Sequence, residues 1–586
     1  MPNISHNTFC SVKQCSVQGS PNIFVKRDYM KRILILVFSL FIFACQPDAS
    51  HQVEGKRHAV ASAHPLATQA GIDVLNQGGN AFDAAVAVSA TLAVVEPYSS
   101  GIGGGGFWLL HRASDNRDIM IDGREKAPGR AHRDLYLDAQ SNVIKQLSLD
   151  GPLAAGIPGQ PAALVHISKH YGKLPLAKSL QSAIDASNNG FKVTTHYQRM
   201  ARFRLDALRQ SPDAARIFLY DNNVPPLGHI IRQADLANTI QSIAKNGMAG
   251  FYEGEVAIKL VKGSLAAGGI WTRDDLKAYR IKEREPIVGK YGKYTITSVV
   301  PPSSGGVALL EILNMLSIHD YQNKSAIDRK HLLIEAMRRA YRDRSVYLGD
   351  SDFVDVPIKR LTSLSYAQEL GADIKMNVAT PSEFLAGNAT APRGNHTTHF
   401  SIVDQQGNRV SATLSINYPF GACFVPPGTG VLLNDEMDDF SAKPGTPNAY
   451  GLVGAEANAI EPNKRMLSSM SPTFVESDDM LAVIGTPGGS RIITMVLHGI
   501  LGVVDGKTVT EIVSQPRFHH QFLPNEVQYE ENAFSEAEIS ELEKRGHTLR
   551  KLSNTYGDMH MVILNKQTGT LSAASDPRGI GKAIVQ

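Results

Sequence analysis

Residues 397–416 read TTHFSIVDQQGNRVSATLSI, two runs rich in β-branched and aromatic side chains around a short polar stretch. Such side chains fit the pleated, half-buried surface of a sheet, so residues 397–404 and 408–416 are predicted to be strands. The Gln-Gln-Gly-Asn stretch at 405–408 is typical of a tight turn. The sequence therefore predicts an antiparallel hairpin that begins at Thr397.

The segment before this hairpin differs in composition and in hydrophobic patterning. Residues 376–396 (MNVATPSEFLAGNATAPRGNH) lack a sustained apolar period and contain two prolines and two glycines, which indicates an exposed linker. A strand begins directly after it. A cut between His396 and Thr397 would therefore leave the structure on both sides intact.

Farther from the hairpin, helical and extended patterns alternate. Residues 65–79 have apolar positions at helical spacing, and the alanine-rich 81–96 predicts a buried helix. Residues 107–112 (FWLLHR) predict a strand, whereas the arginine-rich 327–347 predicts a long amphipathic helix. Mixed α and β structure is therefore expected on both sides of the linker.

Length and composition are those of a globular enzyme. The chain has 586 residues, of which 43% are hydrophobic and 20% charged, enough to bury a large core. The net charge of +3, without a basic stripe interleaved with aromatic residues, gives no electrostatic case for nucleic acid. We therefore expect a small-molecule substrate and no nucleic-acid partner.

The N-terminal region predicts export. Residues 30–45 (MKRILILVFSLFIFAC) combine two basic residues with a short apolar run, as in a secretory signal peptide, and residues 1–29 form an extension before the expected true start. The run is too short to span a bilayer comfortably. Its end resembles a bacterial lipobox, which would place a lipid on Cys45; an ordinary signal peptide cut nearby is the alternative. The expected location is the periplasm, with any membrane attachment through lipid only.

Cysteine usage adds no disulfide framework. Cys10 and Cys15 precede the predicted signal and Cys45 is the lipidation candidate, which leaves Cys423 alone in the body of the chain. Neither a disulfide scaffold nor a cysteine metal cluster is expected.

Two patterns resemble cofactor or metal sites and are better explained otherwise. Residues 101–106 (GIGGGG) satisfy the dinucleotide fingerprint, but they follow a predicted helix and precede a strand, the reverse of what that fingerprint needs. Close backbone packing explains these glycines better. The pairs His396/His399 and His519/His520 lack the spacing of helical metal ligands, so structural or loop histidines are expected.

Thr397 by itself is an ordinary strand residue. The wider pattern, however, resembles the γ-glutamyltranspeptidases, which are N-terminal nucleophile hydrolases. The likeness runs from about residue 58 to the C-terminus, and the stretch from Thr397 resembles the start of that family's small subunit. The matching blocks are GIGGGGF (101–107), DGREKAP (122–128), PPSSGG (301–306), LLNDEMDDFSAKPGTPN (432–448), RMLSSMSPT (465–473), GTPGGSR (485–491), PRFHHQ (516–521) and SDPR (575–578).

The resemblance implies a chemistry that needs a chain terminus. A threonine hydroxyl is a weak nucleophile, and a free α-amine, whose pKa is ordinarily about 7.7 to 8.0, can accept its proton near neutral pH. Only cleavage between His396 and Thr397 supplies that amine. The expected products are a large subunit, 46–396, with 376–396 as the flexible segment before the cut, and a small catalytic subunit, 397–586, in one shared fold.

The remaining site residues are implied by the resemblance, position by position. Arg124 corresponds to the arginine that holds the substrate α-carboxylate, with Ser468 and Ser469 as its hydroxyl partners. Asn417, Glu436 and Asp439 correspond to the groups around the α-ammonium, although Glu436 is a glutamine in some relatives. Ser415 corresponds to a hydroxyl that hydrogen-bonds Thr397, and the N–H groups of Gly488 and Gly489 to the oxyanion hole.

Each of these positions also has a purely structural explanation. Arg124 suits a surface ion pair, the two serines a cap or turn, and the two glycines a tight bend. Residues 440–450 resemble the lid loop of bacterial members, in which Tyr450 would screen the acyl-enzyme from water.

The resemblance implies an α+β fold, a four-layer αββα sandwich, and no metal or organic cofactor. The expected donor is glutathione or another γ-glutamyl compound, and the acceptor is water, an amino acid or a peptide. Two other functions stay open: a related acylase that removes a glutaryl side chain, and a processed envelope lipoprotein that only binds peptides. An intact α-ammonium site disfavours the first, and retention of Thr397, Arg124 and the glycine pair disfavours the second.

Overall fold

The predicted hairpin is formed by the strands Thr398–Val403 and Arg409–Ser415, which pair antiparallel with Phe400 opposite Ala412. The computed structural model describes residues 52–385 and 397–586. The predicted export segment with Cys45, Cys10 and Cys15, and the end of the linker with His396, lie outside the described residues. Within the described part, the chain folds around two antiparallel sheets of seven strands each.

The first sheet contains the hairpin and is called here the Thr398 sheet. Its strands come from both sides of the 396/397 bond, so the two predicted subunits are interleaved. In spatial order they are Lys582–Val585, Ala59–Ser62, Thr398–Val403, Arg409–Ser415, Gly105–Arg112, Arg117–Gly123 and Lys282–Arg284.

The second sheet is called the Thr473 sheet and is likewise built from both predicted subunits. In spatial order its strands are Val53–Gly55, Leu571–Ser575, His560–Asn565, Met480–Gly485, Thr473–Glu476, Tyr294–Ser298 and Ile287–Tyr291. Smaller sheets are formed by Phe518–His519, Val527–Tyr529 and Leu549–Lys551, and by Phe191–Lys192 with Ile230–Ile231.

The two large sheets pack face to face through an apolar layer. Ala61 and Leu109 of the Thr398 sheet meet Val483 and Val562 of the Thr473 sheet in one buried cluster. Because successive strand residues point to opposite faces, the alternate residues Val60, Trp108 and Leu110 lie in another core, against the helices. Both faces of the sheet are thereby buried.

Helices cover the outer face of each sheet, which confirms the four-layer αββα arrangement. Those on the Thr398 sheet include Pro65–Asn76, Ala81–Val95, Gln160–Tyr171, Leu176–Asn189 and Ala234–Asn246. Those on the Thr473 sheet include Gly305–Ile318, Ala326–Tyr347, Ile492–Val504 and Val509–Ser514. In residues 52–385 and 397–586 the other α-helices are Lys145–Leu149, Thr195–Phe203, Leu205–Gln210, Pro212–Phe218, Ala249–Tyr252, Gly254–Ala266, Arg273–Ala278, Ile358–Leu361, Leu364–Gly371 and Glu536–Lys544.

The predicted helices form with small shifts at their ends. The helix Ala81–Val95 is buried along its whole length, as its alanine-rich sequence predicts, and a capping box of Asn80 and Asp83 starts it. The helix Ala326–Tyr347 departs from a simple amphipathic pattern, because several arginines of its second half are buried. Arg338 and Arg339 are buried there with Glu335, whose carboxylate accepts hydrogen bonds from both guanidinium groups. Buried arginine on this helix is a tertiary feature that periodicity did not indicate.

Three further expectations concern single features. Cys423 is buried and forms no disulfide bond. In 52–385 and 397–586, no helix has the length and apolarity needed to cross a bilayer. The same residues contain no cluster of three or more histidine, cysteine, aspartate or glutamate side chains suited to a metal ion.

Candidate active site

Thr397 lies at the start of the central strand Thr398–Val403 and lines two cavities. One, of about 370 Å³, is called here the large cavity; Glu96, His196, Arg199 and Gly488 contribute to its wall. The other, of about 20 Å³, is called the small cavity. Thr397 is only 6% exposed, so its reach is limited to what enters these spaces.

The small cavity collects nearly all the predicted site residues. They share its wall although they are spread over more than three hundred positions of the sequence: Arg124, Thr397, Ser415, Asn417, Glu436, Asp439, Tyr450, Ser468, Ser469 and Gly489. Gly488 lines the large cavity instead. The structure therefore brings these residues together around Thr397, while the role of each remains a prediction.

Arg124 is the most heavily bonded side chain of the small cavity. It directly follows the strand Arg117–Gly123 and is 1% exposed, which rules out a surface ion pair. Its Nη1 donates to Glu436 Oε2 at 2.5 Å and its Nη2 to Asp439 Oδ2 at 2.6 Å. The backbone carbonyls of Met466 and Leu467 accept further bonds from the same guanidinium. Arg124 is thus held rigidly by partners on two separate segments.

The two acidic partners of Arg124 come from one turn of 3-10 helix, Glu436–Asp439. Burial raises the pKa of Glu436 to about 7, and the neighbouring Arg124 opposes that rise. Burial also raises the pKa of Asp439, again against the pull of Arg124. The predicted carboxylate and ammonium sites are therefore one charge network, in which Arg124 is already compensated by two carboxyl groups.

Ser415 and Asn417 form a bend directly after the hairpin. Asn417 N donates to Ser415 Oγ at 2.7 Å, and Asn417 Nδ2 donates to the carbonyl of Asp435 at 3.0 Å. Asn417 has a φ of +71°, a left-handed conformation that asparagine tolerates better than most residues. The bend keeps both side chains at the wall of the small cavity next to Thr397.

The glycine pair lies where the chain turns from the strand Met480–Gly485 into a helix. Gly488 has a φ of +145° and Gly489 a φ of +57°, and a Cβ atom on Gly488 would lie 2.3 Å from Met495 Cε. Glycine is therefore favoured at 488 by its backbone conformation, and any larger residue would also have to displace the Met495 methyl. A tight bend at this point also suits the close approach of a substrate oxygen that the oxyanion-hole prediction needs.

Tyr450 closes the small cavity from the predicted lid. Its side chain is buried, and its hydroxyl donates to the carbonyl of Asn417 at 2.7 Å. Asn448, two residues earlier, donates to Asp439 Oδ1 at 3.1 Å. The segment is thus tied to the residues it covers, a closed position consistent with the predicted shielding of this cavity from water.

Two residues at the cavities were missed by sequence reasoning. Glu96 ends the buried helix Ala81–Val95, lines the large cavity and accepts a hydrogen bond from Thr398 Oγ1 at 2.7 Å; burial raises its pKa to about 7. Arg344 donates to Ser469 Oγ at 3.1 Å. A glutamate at the end of an otherwise apolar helix was a usable signal, whereas an arginine in an arginine-rich helix was not.

The histidines set aside as structural have ordinary partners. His399 is buried in the central strand, where its ring contacts the hydroxyls of Thr413 and Ser401 at 2.9 and 3.2 Å. His519 contacts Thr494 and Gln521, and His520 accepts from Phe522 N at 3.1 Å.

Comparison with known proteins identifies the family. Residues 67–586 match the family described as gamma-glutamyltranspeptidase. The chain belongs to this family. The chain is therefore an enzyme of γ-glutamyl transfer and glutathione hydrolysis. It is 42% identical over 544 residues, 92% of this chain and 93% of the relative, to a glutathione hydrolase proenzyme of Escherichia coli strain K12.

A second relative and a solved structure extend the comparison. The chain is 41% identical to a glutathione hydrolase proenzyme of Pseudomonas sp. strain A14, over 87% of this chain and 89% of the relative. Its fold is similar to that of a cephalosporin acylase from Bacillus halodurans, with a TM-score of 0.81 and 28% identity over 92% of this chain and 98% of that one. The same fold thus carries more than one named acyl-transfer activity.

Proposed function

We propose that this member of the family is made as a precursor that cleaves itself before Thr397, and that the hydroxyl and new α-amine of Thr397 then transfer γ-glutamyl groups. One observation carries the proposal: Thr397 shares a small cavity with the buried Arg124, the buried Glu436 and the partly buried Asp439. An α-amino acid head group carries a carboxylate and an ammonium, for which this set of charges is complementary. Two relatives are named as proenzymes, that is, as precursors that are processed, and this supports the proposed cleavage.

The cleavage would not separate the two parts. Each large sheet contains strands from both sides of the 396/397 bond that pair with each other, so each subunit completes the other's hydrogen-bond ladder. Thr397 immediately precedes the strand Thr398–Val403 and is not part of it. A new N-terminus there leaves the strand pairing in place, so 52–385 and 397–586 stay one folded unit.

The proposed reaction has two steps. Thr397 Oγ attacks the γ-carbonyl carbon of the donor, the Thr397 amine takes the hydroxyl proton, and the N–H groups of Gly488 and Gly489 stabilise the oxyanion. Collapse breaks the amide bond, and the leaving amine takes the proton. Water or the amine of an amino acid or peptide then attacks the γ-glutamyl-Thr397 ester, which restores the threonine. Arg124, Ser468 and Ser469 hold the α-carboxylate; Asn417, Glu436 and Asp439 hold the α-ammonium.

The test of the substrate class compares two anilides of equal leaving group. Wild-type protein is expected to hydrolyse γ-glutamyl-p-nitroanilide with a kcat/KM at least about a hundredfold above that for glutaryl-p-nitroanilide, because only the first carries an ammonium for the acidic residues. The similarity to a cephalosporin acylase makes the glutaryl activity the second candidate. A preference for the glutaryl compound would establish the acylase function. If neither anilide were hydrolysed, a lipoprotein that only binds peptides would be the remaining hypothesis.

A pH-dependent role is expected for Glu436. Its carboxyl, with a pKa raised by burial to about 7, is charged above that pH and neutral below it. The kcat/KM of wild type divided by that of Glu436→Gln should therefore be about ten at pH 8.5 and fall towards one below pH 6, because a charge-assisted bond to the ammonium contributes roughly 1.5 kcal/mol. Taking the ratio removes the separate titration of the Thr397 amine.

The matched control for Glu436 uses a donor without the ammonium. With glutaryl-p-nitroanilide the ratio should vary little with pH, because this donor carries no ammonium for the charged Glu436 carboxylate to attract. A ratio for the γ-glutamyl donor that stays flat between pH 6 and pH 8.5 would contradict the assignment of Glu436 to the ammonium.

Export and lipid attachment are a further part of the proposal. Residues 30–45 have the pattern of a secretory signal that ends at Cys45, which supports a periplasmic enzyme anchored through a lipid on that cysteine. Intact mass spectrometry of protein purified from membranes tests this directly. A large subunit that begins at Cys45 with the added mass of a diacylglycerol and acyl group is expected, whereas an unmodified subunit that begins after Cys45 would establish an ordinary signal peptide.

A further inference from the structure

Arg344 is a buried cation next to the small cavity. It lies in the last turn of the helix Ala326–Tyr347 and is 5% exposed. Its Nε donates to Ser304 Oγ at 3.0 Å and its Nη2 to Ser469 Oγ at 3.1 Å. Among the residues of 52–385 and 397–586, both hydrogen-bond partners of this guanidinium are serine hydroxyls, and no carboxylate forms an ion pair with it.

The two arginines near this cavity therefore differ in charge balance. Arg124 has two carboxyl groups within 2.6 Å, whereas the hydrogen-bond partners of Arg344 are neutral. Removing an unpaired charge from water is costly, and this desolvation lowers the pKa of Arg344 to about 10, although Asp439 opposes the shift from farther away. The site thus holds a positive charge without a carboxylate in contact, and an anion in the small cavity would be stabilised by it.

Arg344 also determines what the cavity serines can do. A hydroxyl has one hydrogen and two acceptor positions. Because Ser469 Oγ accepts from Arg344, its own hydrogen points away from the guanidinium and remains available to donate. Ser468 Oγ likewise accepts, from Met470 N at 3.1 Å. Both hydroxyls of the cavity wall therefore have their hydrogen available to donate, and a carboxylate, which only accepts hydrogen bonds, requires such donors.

A second contact fixes the same segment from behind. Ser304 Oγ, which accepts from Arg344, donates to the carbonyl of Ser468 at 2.6 Å, and Ser304 N donates to that carbonyl at 2.8 Å. Arg344 is therefore linked to the Ser468–Ser469 segment both directly and through Ser304. This arrangement explains why a long helix ends with a buried arginine at this place.

We propose that Arg344 is a positioning residue for the donor's α-carboxylate: it orients the Ser469 hydroxyl as a donor and adds a second positive charge to that of Arg124, one that has no carboxylate of the described residues in contact. The inference rests on the proposed function, because it takes the small cavity as the γ-glutamyl site. Arg344 acts through Ser469 and is not expected to touch the reacting atoms.

The competing explanation is structural. A cation in the last turn of a helix is favoured by the helix dipole, and Arg344 could simply join its helix to the loop before Gly305. That role would lower stability when lost, without a selective effect on donor binding. The test therefore needs a readout that stability alone does not move.

The experiment is a double-mutant cycle on processed enzyme with γ-glutamyl-p-nitroanilide. Arg344→Gln and Ser469→Ala are each expected to raise KM about tenfold with kcat changed less than about threefold, because a hydrogen bond to the carboxylate is weakened in ground state and transition state alike. The double variant should raise KM no more than about twofold beyond the worse single variant. Arg344→Lys, which keeps the charge without the guanidinium fork, should lie between wild type and Arg344→Gln.

Lys330→Gln is the matched control. It removes a cation from the same helix, and its partners, Glu538 and the carbonyl of Ala533, line neither cavity. Its KM is expected to equal that of wild type. Cleavage at 396/397 and the thermal midpoint of each variant show which proteins are folded; if Arg344→Gln does not fold, the Arg344→Lys and Ser469→Ala pair completes the cycle.

The outcomes separate the two hypotheses. An unchanged KM in folded Arg344→Gln or Arg344→Lys, or fully additive effects with Ser469→Ala, would overturn the role of Arg344 while wild-type turnover upheld the proposed function. Absence of γ-glutamyl turnover in the wild type would instead refute the proposed function, and the inference about Arg344 with it.

Discussion

Replacement of Thr397 by alanine is expected to abolish both the cut at 396/397 and the turnover of γ-glutamyl-p-nitroanilide. The same hydroxyl is proposed to attack the preceding carbonyl in the precursor and the donor in the mature enzyme, so one substitution removes both reactions. The loss of kcat should be about 10⁴-fold or more, as for other nucleophile deletions. Denaturing electrophoresis then shows one chain, and a continuous assay of nitroaniline release measures the residual rate.

Thr397→Ser is the matched control, because it keeps the hydroxyl and removes one methyl group. It is expected to be cleaved and to retain measurable turnover. Thr397→Ala is expected to fold, because Thr397 precedes the strand Thr398–Val403 and does not pair within it. The thermal midpoint of the variant checks this. Normal cleavage of Thr397→Ala, or wild-type turnover by it, would mean that another group is the nucleophile.

Replacement of Arg124 by glutamine is expected to have the second largest effect, on both activity and stability. The buried Glu436 and the partly buried Asp439 would then lose the cation that both contact. Breaking a buried ion pair on one side costs about 3–5 kcal/mol, much of it the penalty of the stranded charge. The kcat/KM for the γ-glutamyl donor should fall about 10³-fold, because the carboxylate also loses its charged partner.

Arg216→Gln is the control for Arg124→Gln. Arg216 is 58% exposed and pairs with Asp213 and Asp235 on the surface. Exposed pairs of this kind contribute about 0–1 kcal/mol, so neither stability nor kcat/KM should change appreciably. Chemical denaturation and steady-state kinetics of both variants provide the comparison. Equal small effects from the two substitutions would show that Arg124 neither holds the network together nor binds the donor.

Much of the fold could be predicted from short stretches of sequence. The hairpin from Thr397, the buried helix Ala81–Val95 and the strand Gly105–Arg112 all follow from periodicity and residue type, because these depend on neighbours a few positions apart. Of the glycines predicted to lie between a helix and a strand, Gly101, Gly103 and Gly104 do so, whereas Gly105 and Gly106 already belong to the strand. The order of the strands within each sheet could not be predicted in this way, since pairing joins segments hundreds of residues apart.

The site divides in a similar way. The residues predicted from the family resemblance do share the two cavities at Thr397, which a set of sequence blocks cannot establish by itself. Their interactions were not anticipated: Arg124 was assigned to a carboxylate and Glu436 and Asp439 to an ammonium, and the structure joins all three in one network. Whether a carboxyl is charged in such a network depends on burial and on neighbours, which is why Glu436 has a pKa raised to about 7.

The sequence by itself determined the mixed α and β class, the hairpin that starts at Thr397 and the family to which the chain belongs. Those conclusions rest on local periodicity and on ordered blocks of residues, both of which are properties of the linear chain. Only the tertiary structure decided that Arg124 is neutralised by its acidic neighbours and that Arg344 reaches Ser469 without an acidic partner in contact. Charge balance depends on the distance between groups and on the exclusion of water. Residues 124, 344, 436 and 469 come close together, away from water, only when the two sheets and their helices have packed.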